Sequence, residues 1–333
     1  MTLTPRALLC LAAIATAATA QNSAPPSAAL RYWPAAELKS GTSKLLLSTP
    51  THMLKLVRVT GNPPAESHEG TSDVFFVESG AGSILAGGSI ENATALPDMP
   101  GELRGHSIQG GQRYELKPGA MINIPPSTPY MLQAPDGLTL VQLRINVGMH
   151  PWSLVSTQQT TLAGTKGRPP EAVPLSPDQG GVVYWSAETL EHAHEALAKK
   201  AAAGESVSDP RDLVSIPATR THAYNFLHRI MGKNGQPPGV EFHTGNTDIY
   251  FVIGGSATLM TEGEIENREP IPNRPGEERG TLIKNGKGYK MQRGDVVNMP
   301  PLVPHQSLPD PGGFTYMLIK VNTGTYPWSL IDK

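Results

Sequence analysis

Glu241 and His243 stand two residues apart. On a strand both side chains would point to one face. Asp248 follows five residues after His243, ahead of Tyr250-Phe251-Val252-Ile253, an aromatic and β-branched run that Gly254-Gly255 ends. Two strands and a turn would therefore aim a carboxylate, an imidazole and a second carboxylate at one point. Further along come Gly294-Asp295, the apolar Val296-Val297, the Pro-stiffened Asn298-Met299-Pro300-Pro301, and a second imidazole, His305. Glu241, His243, Asp248 and His305 are the ligand types of a divalent transition metal: Fe, Mn, Zn, Ni or Co rather than soft Cu(I). Two carboxylates buried side by side would repel, and a cation would relieve them.

The same pattern is written twice. Glu66, His68, Asp73 and Gly80 precede Glu241, His243, Asp248 and Gly255 at one constant offset. Ile90-Glu91-Asn92 recurs as Ile265-Glu266-Asn267, and Gly101-Glu102-x-Arg104-Gly105 as Gly276-Glu277-x-Arg279-Gly280. Asn123-x-Pro125-Pro126 recurs as Asn298-x-Pro300-Pro301. One ligand position differs: Tyr130 stands where the second copy has His305. A phenol with a pKa near ~10 is a reluctant ligand. Glu66, His68, Asp73 and Tyr130 therefore form the weaker set, and the metal is expected in the second copy. Tyr250, whose counterpart is Phe75, adds a phenol near the stronger set.

The spacing of Glu241, His243, Asp248 and Gly255, followed by Gly294-Asp295, Pro300 and His305, resembles the two motifs of the cupin superfamily. Glu241 stands where that family usually has its first His, and Asp248 where it has Glu. The resemblance implies an all-β chain: two tandem double-stranded β-helix (jelly-roll-like) barrels, a bicupin, with a short helical segment before the second. It also implies a metal-dependent enzyme acting on a small anionic or phenolic molecule, as an oxidoreductase of dioxygenase type or as a lyase or decarboxylase. Glu241 or Asp248 would be the general base and Tyr250 the proton donor. The alternatives are a non-catalytic barrel that binds a metal or small ligand, and an assembly module, which would make the protein a homo-oligomer.

The surrounding chain must position these residues. Its 333 residues suggest two domains, expected over 30–157 and 182–333, with a Pro-, Gly- and Thr-rich linker over 158–181. The formal net charge is −2 with no basic run, which argues against nucleic acid. Residues 1–20 read as a secretory signal peptide: Arg6, a short apolar run, then Ala18-Thr19-Ala20. The apolar run is too short to span a membrane, so a periplasmic or secreted protein beginning at Gln21 is expected. The single cysteine, Cys10, lies inside that leader.

Residues 187–203 read as a helix capped by Ser186 and stopped by Gly204, with His192 and His194 as solvated surface residues. Residues 87–111 and 262–286 are long polar stretches, read as hairpins over the barrel rim, where Arg104 and Arg279 could meet an anionic substrate. Tyr-Trp opens each copy and Pro-Trp-Ser-Leu closes it, so Trp33, Trp152, Trp185 and Trp328 are expected to be buried.

Overall fold

The computed structural model describes residues 29–97, 99, 101–147, 181–204, 221–272, 274 and 276–323. The expected leader, the linker up to residue 180, and both Pro-Trp-Ser-Leu segments with Trp152 and Trp328 lie outside the described residues.

The described residues are mostly strand. They form one sheet of 9 strands, one of 11, and two 2-stranded ribbons. Two α-helices, Ala35–Ser40 and Ala187–Ala202, accompany them. No helix among the described residues is long and apolar enough to cross a membrane.

Each barrel is built on a long strand bent back along an antiparallel partner, which in the first copy is split into Thr71–Gly80 and Gly82–Ala86. In the second copy Asn246–Thr261 pairs with His305–Asn322 from Asn246↔Asn322 to Thr261↔His305. Both strands bend sharply midway, at register shifts beside Gly254-Gly255. Gly255 has φ +69°, and a Cβ there would collide with the Gly313 carbonyl. The bend therefore requires glycine. Gly80 against Gly137 is its counterpart in the first barrel.

The first strand of each copy belongs to the sheet of the other. Arg31–Trp33 pairs with Val296–Asn298 in the second barrel, and Val183–Trp185 pairs with Met121–Asn123 in the first. Trp33 and Trp185 are both buried. A core cluster runs between the barrels and contains both tryptophans, Phe76 and Phe251, with those two phenylalanine rings 5.4 Å apart. The repeated Asn-x-Pro-Pro asparagines also reach across. Asn298 Oδ1 meets His52 Nε2 at 2.8 Å, and Asn123 Oδ1 accepts from Tyr224 Oη at 2.8 Å.

Ser186 caps the second helix by accepting the Thr189 N–H, and the helix buries Leu190, Ala193 and Leu197. His192 is exposed as expected. His194 departs from the expectation: it is half-buried, with Nδ1 2.7 Å from Thr315 Oγ1 and its ring 6.1 Å from that of His228. The helix docks against the second barrel, so its His194 face is turned toward a strand rather than water.

Candidate metal centre in the second barrel

Strand register assembles the site. Glu241 and His243 lie on Val240–His243, and Glu241 stands directly opposite His305. Asp248 stands opposite Lys320 on the other long strand. One potential ligand atom from each of Glu241, His243, Asp248 and His305 lies within 4.8 Å of all the others. His243 Nε2 is 3.3 Å from Asp248 Oδ2 and 3.7 Å from Glu241 Oε2. His305 Nε2 is 3.5 Å from Asp248 Oδ2 and 3.9 Å from Glu241 Oε2.

Both imidazoles are held by their far nitrogens. His243 Nδ1 is 2.9 Å from Glu277 Oε2, and His305 Nδ1 is 3.1 Å from the Val303 carbonyl. Glu277 is in turn fixed by Asn246 Nδ2, 3.0 Å from its other oxygen. These contacts leave each Nε2 facing inward, the arrangement that metal-binding histidines use.

Lys320 lies inside the site, 4 % exposed. Its ammonium is 3.0 Å from Asp248 Oδ1 and 3.1 Å from His243 Nε2. The carboxylates and the cations support one another, while Lys320 and His243 oppose each other's charge. Burial alone would lower the Lys320 pKa, but Asp248 and Glu277 raise it above the ordinary value. Burial would raise Asp248, but Lys320 and His243 hold it well below the usual carboxylate range. His243 is pushed up to about 10: burial and Lys320 oppose its charge, and Asp248 and Glu241 outweigh them. Glu241 is held low against its own burial by His243 and by Arg229, whose Nη2 is 3.0 Å from Glu241 Oε1.

The residues fit a metal ion. Two imidazoles and two carboxylates are a mixed N/O donor set for a first-row divalent cation. His305 Nε2 is buried with no hydrogen-bond partner, and neither oxygen of the fully buried Asp248 has one. Lys320 meets Asp248 at ion-pair distance but without hydrogen-bond geometry. The donor spacing would need to shrink by a few tenths of an ångström around a cation bound at ~2.0–2.2 Å.

The first barrel brings Glu66, His68, Asp73 and Tyr130 together and closes the same space with a guanidinium. Arg144, opposite Asp73 in the register, donates from Nε to Asp73 Oδ1 and from Nη2 to Oδ2, each at 2.7 Å. Its Nη2 is also 2.7 Å from His68 Nε2. Tyr130 donates to Asp73 Oδ2 at 2.9 Å, and its phenol is raised well above 10 by burial and by Asp73. The inward atoms of His68 and Asp73 are thus occupied by protein groups. With no inward atom of His68 or Asp73 left free, this is the weaker of the two sets.

Sequence reasoning missed three pairs of residues. Arg144 and Lys320 are the lone cations in the apolar runs Leu140-Val141-Gln142-Leu143-Arg144 and Tyr316-Met317-Leu318-Ile319-Lys320, which was a legible signal. Glu102 and Glu277, which hold His68 and His243, sit inside the repeated Gly-Glu-x-Arg-Gly segment. Arg229 and Tyr316 carry no motif. With Glu241, Tyr250, Arg279 and His305 they line a cavity of about 140 Å³ that reaches two of the four candidate ligands, Glu241 and His305.

No family model matches this sequence, and no curated protein matches it. Solved structures do. A salicylate 1,2-dioxygenase from Pseudaminobacter salicylatoxidans is 13 % identical, with 91 % of this chain and 87 % of that chain covered, at a TM-score of 0.51. A cupin 2 conserved barrel domain protein from Leptotrichia buccalis is 10 % identical over 87 % of this chain and 96 % of that chain, at a TM-score of 0.43. The likeness to the dioxygenase shows the fold: two tandem cupin barrels, as the motifs imply.

Proposed function

We propose that the second barrel binds one divalent transition metal through His243, His305, Asp248 and Glu241, and that the protein is a metal-dependent enzyme. Its substrate would be a small, oxygen-rich anionic or phenolic molecule. One observation carries this reading. Four donor atoms converge, two of their residues, Glu241 and His305, line a pocket, and the buried Nε2 of His305 has no hydrogen-bond partner. A bound metal would act as a Lewis acid toward substrate oxygen atoms.

The chain's own groups do the rest. Glu277 and the Val303 carbonyl set the two rings. Arg229 binds one oxygen of Glu241 and leaves the other facing the cluster. Glu241, held far below the usual carboxylate range, is a weak proton acceptor, which favours it as an anionic ligand over a general base. Tyr250 is buried, its ring 4.2 Å from that of Tyr316, and burial first, then Tyr316, raise its pKa well above 10. It stays protonated and can donate a hydrogen bond to an oxygen in the pocket. Arg279 is exposed at the pocket wall and makes no ion pair among the described residues, so it is free to draw in an anion.

The dioxygenase form of this reading rests on fold analogy. Secretion to the periplasm rests on the leader-like segment of residues 1–20. A second reading, a metal-free binding pocket, is favoured by Lys320, which already supplies a buried positive charge beside Asp248. Elemental analysis of the purified protein separates the two, followed by oxygen-uptake screening with phenolic and hydroxylated carboxylic acids. About one metal per chain with turnover supports the enzyme. A metal-free protein that cannot be loaded with Fe, Mn, Co, Ni or Zn refutes it.

A further inference from the structure

Between the two barrels, away from the candidate metal centre, lies a cavity of about 390 Å³. Its walls are apolar: Phe76 from the first barrel, Leu190 from the second helix, and Val252 and Ile253 from the second barrel, all buried. One wall residue breaks the pattern. Glu78 is 2 % exposed, and neither of its carboxylate oxygens has a hydrogen-bond partner. Its counterpart in the other copy is Ile253, so the repeat does not require a carboxyl at this position.

A buried carboxyl without a partner is costly to keep. Its neighbours indicate what it would bind. Lys39, at the exposed end of the helix Ala35–Ser40, borders the same space: a Cβ built on Gly294 would lie 3.7 Å from Glu78 Oε2 and 3.9 Å from Lys39 Nζ. The two side chains make no ion pair with each other. The other charged groups nearby are engaged. Arg293 pairs with Glu191, and Asp295 accepts from Tyr32, the Ala35 N–H and the Gln292 N–H. Burial pushes the Glu78 carboxyl up to about 8, with Lys39 only partly opposing it, so it carries a proton at neutral pH. The cavity thus presents two donors, a carboxyl and an ammonium, above an apolar floor. Their common complement is an anionic acceptor on a hydrocarbon body.

We propose that this cavity between the barrels binds a small organic monocarboxylate with an apolar body, its carboxylate held by Glu78 and Lys39. The volume lies in the range of small-molecule pockets. The site is separate from the second-barrel cluster, so it can take an effector rather than the molecule transformed.

The test is calorimetric titration of the full chain with benzoate, and with benzylamine as the cationic match in size. Wild type should bind benzoate and not benzylamine. Glu78→Leu removes the buried donor and should weaken benzoate by about tenfold or more, the worth of a hydrogen bond to a charged group. Lys39→Met, on an exposed side chain that leaves the core untouched, should weaken it severalfold. Benzoate bound equally by wild type and both variants would mean that it sits elsewhere, in the second-barrel pocket for example, and would overturn the proposal. Benzylamine bound in preference, or neither probe bound at millimolar concentration, would overturn it as well.

Discussion

Replacing Lys320 with Met keeps the length and apolar stem of the side chain and removes its charge. In the folded chain the ammonium lies 3.0 Å from Asp248 Oδ1, and both side chains are out of solvent. Removing one partner of a buried ion pair costs about 3–5 kcal/mol, because the other charge is left uncompensated. Here the cost should fall near the low end. His243, itself held protonated, still lies 3.3 Å from Asp248. Metal-stripped Lys320→Met is therefore expected to lose roughly 3 kcal/mol, a large share of the ~5–15 kcal/mol that holds a typical domain. A metal should act in the opposite direction. The variant offers the same four ligands without a fixed positive charge beside them, so it should bind a divalent cation more tightly than wild type. At a free metal concentration a hundred times Kd, binding stabilises by about 2.7 kcal/mol, close to the loss. The assay is urea unfolding of both proteins in chelator and in excess Mn or Zn. A metal-free variant within about 1 kcal/mol of wild type would refute the reasoning, and so would a loss that metal does not reduce.

His305→Tyr makes the second barrel resemble the first and should empty it, read by elemental analysis after identical dialysis. Tyr130→His alone should not add a second metal, because Arg144 still fills the first barrel; two metals per chain would contradict that. Metal affinity should rise about tenfold per pH unit between pH 7 and 9, since the ion must displace the proton that His243 holds up to about 10; a flat profile would argue against His243 as ligand. In the metal-free chain the sign is the reverse: the folded value lies above the unfolded ~6.5, so the His243 contribution to stability is whole below pH 6.5 and is lost as pH rises through about 10, measurable by urea unfolding. Trp185→Ala should cost about 3–5 kcal/mol and lower both barrels in a single unfolding transition, because Trp185 sits in the core between them.

The fold was legible because the repeat repeats its structural demands. Glycine at the strand bends, Pro-Pro after a short apolar strand, and Glu-x-His with an Asp five residues on all recur, and each has one structural use. The cluster Glu241, His243, Asp248 and His305 was legible for the same reason: strand periodicity puts alternate residues on one face. What supports it was harder to read. Lys320 and Arg144 meet Asp248 and Asp73 only through cross-strand register, which bulges beside Gly254-Gly255 and near Thr139 set. Burial of a lone cation in an apolar run was the available clue, and it removes the assumption that only a metal could relieve the two carboxylates. Arg229 was not legible, since nothing local ties it to Glu241. His194 misled because helix periodicity says which face a residue is on but not what packs against that face.

The exchanged first strands bear on how the two halves can change over time. A single copy with such an arm would leave its own sheet edge, Met121–Asn123 or Val296–Asn298, unpaired until a second copy supplied the missing strand. Two separate molecules could complete each other only at sufficient concentration, and being identical they would have to carry identical pockets. In one chain the partner is always present at high effective concentration, so assembly no longer depends on dilution. Each half also carries its own codons. His305 can then persist on one side while Tyr130 and Arg144 close the other, and the closed barrel still supplies the strand that completes its twin.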